Sequence, residues 1–245
     1  MTVGDPDPGA TDEPALVPEA ITGWRMWRLQ RGPDGGLELL SLGTAQAWSA
    51  RAPIRARCER SLFPSDPPHP VPERSCSCGI YAAADYRQLR ASGIGRWGSP
   101  AVLGTVSMWG RVVEHAEGYR AELAYPSRVL LACARCVAAG RTPVPDLVLE
   151  LGDTLIPVCR AHARHASGRP VRGSLAEIQA ELCSRYAVDP LPLEAVRVPL
   201  RSRLPDPVRA LLDQAGAEAR PLARSWVGWV GALALALLLW WSCHW

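Results

Sequence analysis

Cysteine and histidine residues form two groups whose spacing could hold metal ions. In the downstream group, Cys133 and Cys136 form a CxxC pair, and Cys159 and His162 form a CxxH pair 22 residues further on. Zinc takes four nitrogen or sulfur ligands in a tetrahedron, and a CxxC turn offers two thiolates from one tight bend. The pattern predicts a zinc site at these four residues, with His165 as an alternative to His162. A redox-active dithiol and plain core cysteines are the competing interpretations.

The upstream group is Cys58, His69, Cys76 and Cys78, and its spacing is less standard. A metal bound there would explain how the proline-rich segment at residues 61–75 is held without regular structure, because ligation contributes directly to folding. We therefore expect a second zinc ion. The alternative is a reactive thiol pair, because the turn after Cys78 is predicted to open a helix, whose dipole would favour the thiolate.

Groups suited to acid–base chemistry are concentrated in one segment, where Glu114 and His115 precede Arg120 and Glu122. Neighbouring residues on a strand point to opposite faces, so Glu114 and His115 could not act on the same substrate atom without a bulge. A cross-strand salt bridge from Glu114 or His115 to Arg120 is the preferred interpretation. The sequence contains neither HExxH nor GxSxG nor a phosphate-binding glycine loop, and we expect no catalytic residue.

Most of the elements that must position these groups are predicted to be strands. A hairpin around the sequence GPDGG is expected to join two strands, and a second hairpin, DLVLEL to TLIPV, separates the two pairs of downstream metal ligands. The GPDGG hairpin joins strands predicted at residues 24–29 and 37–42, and further strands are predicted at residues 101–108, 111–115 and 119–125. Helices are predicted at YAAADYRQLRA, ending at Gly93, and at Ser174–Tyr186, where Ser174 and Glu177 form a capping box. Two other cysteines, Cys183 and Cys243, are expected to be packing residues.

The two ends of the chain differ from the rest. Residues 1–22 are acidic and proline-rich, which predicts a disordered leader. Residues 226–245 contain no charged residue and have tryptophans at both ends; 20 helical residues span roughly 30 Å, the thickness of a hydrocarbon core. Six arginines precede this segment and none follows it, so the positive-inside rule predicts a single-pass tail anchor with the N-terminal bulk in the cytoplasm. Cysteines in that compartment are usually reduced.

Three segments together resemble a known group of proteins. The sequences GWRMWRL, CSCGIYA and WGRVVEHAEGYRAELAYP, within residues 23–126, resemble an uncharacterised module of actinobacterial and phage-associated proteins. Its pattern combines CxCGIYA with WGxVxEHxxGxRAxxAxP, and the segment CARC to CRAHA that follows resembles zinc ribbons of the CxxC…CxxH type. The resemblance implies a domain boundary and carries no established activity.

These observations combine into one prediction for the whole chain. We expect an α+β protein made of a small β-rich zinc-stabilised domain, a zinc-ribbon-like hairpin, a short helical segment and a C-terminal transmembrane helix. The expected divisions are a leader at 1–22, the cysteine-containing domain at 23–126, the ribbon at 127–168, a helix and Pro/Arg-rich linker at 169–224, and the anchor at 225–245.

The predicted function is a non-enzymatic zinc-binding adaptor at the cytoplasmic face of the membrane, with two structural zinc ions and a protein partner. A zinc- or thiol-dependent enzyme is less favoured. The main alternative is a nucleic-acid-binding zinc protein, because the chain without its leader is moderately basic, with 27 arginines against 24 − 5 = 19 acidic residues. The arginines that would serve it surround the ribbon: Arg135, Arg141, Arg160, Arg164 and Arg169. Nothing in the sequence indicates a small-molecule substrate.

Overall fold

The structure is a computed structural model that describes residues 15–58, 69–93 and 100–197. These residues belong to one compact unit, Met1–Arg197. They contain both strands and helices, so the expected mixed class is confirmed. The strands are β1 (Ala15–Arg31), β2 (Leu37–Leu40), β3 (Ala47–Trp48), β4 (Ile54–Arg55), β5 (Ile80–Ala83), β6 (Val102–His115), β7 (Gly118–Leu131), β8 (Leu147–Leu151), β9 (Thr154–Val158), β10 (Arg169–Pro170) and β11 (Asp189–Pro190). The helices are α1 (Tyr86–Ala91), α2 (Ala134–Ala138), α3 (Arg160–Ala163) and α4 (Leu175–Tyr186), followed by a 3-10 turn at Leu193–Val196.

Four strands pair in a closed ring, β1–β6–β7–β5. β6 pairs with β1 on one side and with β7 on the other, and β5 pairs with β7 and also with β1 at Trp24 alone. The two strands predicted at residues 101–108 and 111–115 are one strand, β6, whose register shifts between Trp109 and Val112. Gly110 has a φ of 77° there, and such an irregularity bends a strand without ending it.

β1 begins earlier than the sequence indicates. It starts at Ala15, so residues 15–22 of the predicted leader are strand rather than disordered, and Ile21 and Thr22 pair with Met108 and Ser107 of β6. The β-branched residues Val17, Ile21 and Thr22 give this part of the chain a sequence that suits a strand.

The downstream hairpin is confirmed as β8 and β9, which pair from Leu147↔Val158 to Leu151↔Thr154. β9 also pairs with β1 at Leu29 and Gln30, so the hairpin extends the same sheet system as the upstream strands. The predicted division between residues 126 and 127 falls inside β7.

Apolar side chains pack on both faces of β1. Trp27 and Leu29 belong to the larger core, where Trp27 meets the ring of Trp48 edge-on with centroids 5.5 Å apart. Met26, on the other face, belongs to a smaller core with Leu103. Because successive side chains of β1 point to opposite faces, this one strand contributes to both cores.

α4 covers the larger core with Ile178, Leu182 and Tyr186. Its predicted capping box is confirmed, because the Ser174 hydroxyl accepts from the Glu177 N–H and the Glu177 carboxylate accepts from the Ser174 N–H. The residues after α4, which belong to the predicted Pro/Arg-rich linker, instead stay on the domain as far as Arg197. β11 pairs in parallel with β7, and Leu191 and Val196 are buried in the smaller core.

Candidate metal centres

The downstream ligands, here called the C-terminal cluster (Cys133, Cys136, Cys159 and His162), come from two similar strand-to-helix turns. β7 ends just before Cys133, which is the N-cap of α2, and β9 ends just before Cys159, which is the N-cap of α3. In each turn the fourth residue, Cys136 or His162, returns to the side of the first, because its N–H bonds to the carbonyl of the first. The β8–β9 hairpin then brings the two turns together.

The ligand atoms of the C-terminal cluster lie close together. All four are within 4.8 Å of one another. His162 Nδ1 is 3.4 Å from Cys133 Sγ, 3.5 Å from Cys136 Sγ and 3.3 Å from Cys159 Sγ, and the Cys136 and Cys159 sulfurs are 3.6 Å apart. A disulfide would need about 2.0 Å. His165 is outside the group, and its backbone carbonyl accepts from Arg135.

Hydrogen bonds from neighbouring segments fix both turns. The Cys133 N–H donates to the Pro143 carbonyl at 2.9 Å, and the Cys136 carbonyl accepts from the Arg141 N–H at 2.8 Å. The Asp146 carboxylate accepts from the Arg160 N–H at 2.7 Å, which holds the start of α3. The turns are therefore held by contacts that do not involve the ligand side chains.

The pKa values of Cys136 and Cys159 in this cluster are shifted in opposite directions. Burial, followed by the nearby Cys133 and Cys159 thiols, raises the pKa of Cys136 to about 12. Burial is the largest single influence on Cys159 and raises its pKa. Hydrogen bonds with the backbone N–H groups of His162 and Ala161 and with the neighbouring thiols together lower the pKa by more, so the net shift is downward.

The upstream ligands, here called the N-terminal cluster (Cys58, His69, Cys76 and Cys78), are also brought together. Their ligand atoms are all within 4.8 Å of one another, with the Cys58 and Cys76 sulfurs 3.6 Å apart. The three cysteines are buried, whereas His69 is partly exposed. His69 Nδ1 donates to the Pro70 carbonyl at 2.9 Å, which leaves the Nε2 lone pair for a metal.

The CxC turn does not open a helix, contrary to the prediction. After Gly79 the chain forms β5, which pairs with Gly118–Ala121 of β7, and α1 begins only at Tyr86 with Asp85 as its N-cap. In the described part of the chain no helix begins at Cys78. Burial raises the pKa of Cys78 to about 11; a backbone hydrogen bond at Glu73 lowers it by less, and the Cys76 thiol raises it. The interpretation of Cys76 and Cys78 as a reactive thiol pair depended on a helix beginning at this turn, and the structure has a strand there instead.

Arg120 holds the N-terminal cluster in place, a role that sequence reasoning missed. It is 8% exposed, and its NH1 donates to the carbonyls of Cys76, of Cys78 at 3.0 Å and of Glu73 at 3.3 Å. The predicted salt bridge from Arg120 to Glu114 or His115 is therefore wrong. From the sequence, only the alternation of side chains along β7, which puts Arg120 on the same side of the strand as Ala124, could have indicated that Arg120 is buried.

The remaining candidate groups do not form a compact reactive site. Glu114 and His115 are exposed at the end of β6, and Glu122 pairs with Arg55. Cys183 packs partly buried on the larger core, with its sulfur 3.2 Å from Gln179 Nε2. Cys243 lies outside the described residues.

No protein-family model matches this chain, and comparisons with curated proteins and with solved structures find no match. The resemblance of residues 23–126 to an actinobacterial module thus stays a prediction. In the part of the chain that the structure describes, no helix is long and apolar enough to cross a membrane, and the predicted anchor at 225–245 lies outside that part.

Proposed function

We propose that this chain is a non-enzymatic interaction module. Two zinc ions would stabilise its fold, and residues 225–245 would hold it at the cytoplasmic face of a membrane. The proposal combines a metal role, carried by the two clusters, with a tethering role, which rests on the apolar C-terminal sequence. Each part has its own test.

The observation that carries the metal role is the spacing of the ligand atoms. Zinc bonds of about 2.3 Å to sulfur and about 2.0 Å to nitrogen give tetrahedron edges of about 3.8 Å between sulfurs and about 3.5 Å between sulfur and nitrogen. The C-terminal cluster has edges of 3.3, 3.4, 3.5 and 3.6 Å, and the measured edge of the N-terminal cluster is 3.6 Å. Three sulfurs and one nitrogen favour zinc over the harder ions, which prefer oxygen.

Four protein ligands at each site favour a structural role. A catalytic zinc keeps a position open for water or substrate, whereas a site with four protein ligands is closed. Each proposed ion would join segments that are distant in sequence, Cys58 to Cys76 in one cluster and Cys136 to Cys159 in the other. The ions would therefore contribute to the stability of the domain.

A protein partner is proposed on the basis of the surface beside β8. Val144 and Leu151, before and at the end of this strand, are 48% and 54% exposed. Exposed apolar side chains beside a hairpin are suited to contact another protein.

Metal analysis of the full chain, purified in lipid nanodiscs, tests the metal role. We expect two zinc ions per chain, one for Cys136→Ser and two for the matched control Cys183→Ser, whose cysteine lies outside both clusters. Cys136→Ser should also become sensitive to proteases between residues 138 and 154. Cobalt in place of zinc should give the visible bands of tetrahedral sulfur coordination. A wild-type chain without zinc, or Cys136→Ser with two ions, would contradict the proposal.

Deleting residues 225–245 tests the tether. The shortened chain should move from the membrane fraction to the soluble fraction while keeping its two zinc ions. If it stays with the membrane, the proposed anchor is wrong and the metal role is unaffected.

The second candidate function is nucleic-acid binding, because the five arginines around the C-terminal cluster are all exposed. None of them forms an ion pair among the described residues. Phosphate contacts would make binding fall steeply with rising salt, so RNA and DNA binding should be measured across a salt series. Absence of binding at low salt would eliminate this candidate.

A further inference from the structure

A cavity of about 1050 Å³ lies between β1, the β2–β3 loop, β5 and α1. Trp24, Arg25 and Met26 line it, in the part of β1 where β5 pairs with β1 at one residue only, Trp24. Small-molecule sites in proteins are commonly concave spaces of about 300–1000 Å³, and this one lies at the top of that range. Three ligands of the N-terminal cluster, Cys58, Cys76 and Cys78, form part of its wall.

Most of the cavity wall is apolar. Met26, Leu42, Ile54, Ile80 and Leu89 contribute aliphatic side chains, and Trp24 adds a ring. Ligand sites typically combine such walls with a few polar groups that fix orientation. A ligand of this cavity would accordingly have an apolar body.

Arg25 supplies a positive charge at the cavity wall. Its guanidinium donates to the Tyr81 carbonyl and, at 3.3 Å, to the Ser41 hydroxyl, and it lies 5.2 Å from the centre of the Trp48 ring. It forms no ion pair among the described residues, and its Nε has no hydrogen-bond partner there. Burial lowers the pKa of Arg25 to about 10, so the charge is kept at a cost that a nearby anion would offset.

Ser41 adds a second donor next to Arg25. Its oxygen accepts from Arg25 and, at 2.9 Å, from Trp48 Nε1, so both lone pairs are in use. Ser41 is 6% exposed and lines the cavity, and its hydroxyl proton has no acceptor among the described residues. A hydroxyl with both lone pairs occupied can only donate, and a guanidinium has only donors. The pair therefore selects a ligand group that accepts hydrogen bonds.

The other charged lining residues do not cancel this preference. Arg57 and Glu117, both exposed, also line the cavity, so the charged side chains of the wall carry a net positive charge. A planar guanidinium matches the two oxygens of a carboxylate.

We propose that this cavity binds a small amphipathic anion, with a carboxylate held by Arg25 and Ser41 and an apolar body between Leu42, Ile80 and Leu89. This site goes beyond the proposed adaptor role and would make the module responsive to a metabolite of this class.

The test compares two ligands of the same shape, naphthalene-2-carboxylate and naphthalene-2-carboxamide, by equilibrium dialysis. The full chain is held in nanodiscs, and binding to empty nanodiscs is subtracted. We expect saturable binding of one carboxylate per chain, about 10- to 100-fold tighter than binding of the neutral carboxamide, as expected for hydrogen bonds to a charged group. Acetate, which lacks the apolar body, should not bind measurably.

Two variants locate the site. Arg25→Gln should weaken carboxylate binding about 10- to 100-fold and carboxamide binding by less, because a guanidinium bonds a neutral amide oxygen more weakly than a carboxylate. Arg87→Gln removes the same charge from an exposed position of α1 that does not line the cavity, and it should bind like the wild type. Zinc content shows whether each variant is folded.

A second measurement keeps the proposal testable if Arg25→Gln does not fold. In the wild-type chain, the carboxylate should shift the methyl NMR signals of Leu42, Ile80 and Leu89. The proposal is overturned by the absence of saturable binding, by equal affinity for the two naphthalene ligands, by unchanged binding in a folded Arg25→Gln variant, or by methyl shifts confined to other residues.

Discussion

Replacing Arg120 with methionine should selectively weaken the N-terminal cluster. The Arg120 guanidinium reaches from β7 to three backbone carbonyls of the loop that carries Cys76 and Cys78. Methionine keeps most of the aliphatic stem but donates no hydrogen bond. The loop would then lose the hydrogen bonds that hold the thiols of Cys76 and Cys78 close to Cys58 and His69.

The size of the effect follows from the two stronger contacts, to the carbonyls of Cys76 and Cys78. Hydrogen bonds from a charged donor are each worth about 1.5–3 kcal/mol, so two give about 3–6 kcal/mol. Ser77 between them is exposed, so water can reach the loop and replace part of the loss. We therefore expect the lower end, about 3 kcal/mol, which is about a 100-fold loss of zinc affinity at this site.

The assay is competition for zinc by a chelator of known affinity. The N-terminal cluster is measured alone in a Cys136→Ser background, and the C-terminal cluster alone in a Cys58→Ser background. Arg128→Met is the matched control, since Arg128 is exposed on the same strand. It should leave both affinities unchanged. Arg120→Lys should fall between the wild type and Arg120→Met, because an ammonium keeps the charge and can reach fewer carbonyls.

Two zinc ions bound to Arg120→Met with wild-type affinities would refute this reasoning. The same is true of an equal loss at both clusters, because that result would mean that Arg120 supports the whole fold and not one loop.

Three further predictions concern stability and can be checked by denaturant unfolding of the full chain in nanodiscs. Tyr186→Phe should lower the free energy of unfolding by about 1–3 kcal/mol, because the hydroxyl accepts from the Leu39 N–H and donates to the Trp48 carbonyl, both at 2.8 Å in the buried core; an unchanged stability would contradict this. Burial raises the pKa of Tyr186 to about 12, above an unfolded value of about 10, so its contribution should be complete below pH 10 and lost as the pH rises through 12. Tyr186→Phe should lack that alkaline loss. Ser174→Ala should cost about 1 kcal/mol by removing the cap of α4, whereas Ser184→Ala, on an exposed turn of the same helix, should cost less.

Features set by short-range chemistry could be predicted from the sequence. The capping box of α4 involves residues three apart, and the β8–β9 hairpin needs only two apolar runs and the turn at Gly152 and Asp153. The two sets of metal ligands could be grouped because the chemistry of cysteine and histidine restricts their partners. The choice of His162 over His165 needed the geometry of α3.

Features set by long-range pairing could not be predicted. In the segment from Ile80 to Ala83 the two alanines are good helix formers, but pairing with β7 outweighs their propensity, and Ile80 and Tyr81 suit a strand. The close approach depends on Gly118, since a Cβ there would lie 2.1 Å from the Ala82 carbonyl oxygen. The role of Arg120 was missed for the same reason, because its carbonyl partners are more than 40 residues away in sequence.

β7 separates the two metal clusters as well as positioning them. Arg120, near its start, supports one cluster, and Cys133, just past its end, belongs to the other. The eleven residue-to-residue steps from Arg120 to Leu131 extend roughly 36 Å along the strand. The two ions would thus be far beyond the spacing of about 4 Å found in two-metal enzymes. Each should load and empty on its own, so partial chelation should produce chains with one ion as well as chains with none.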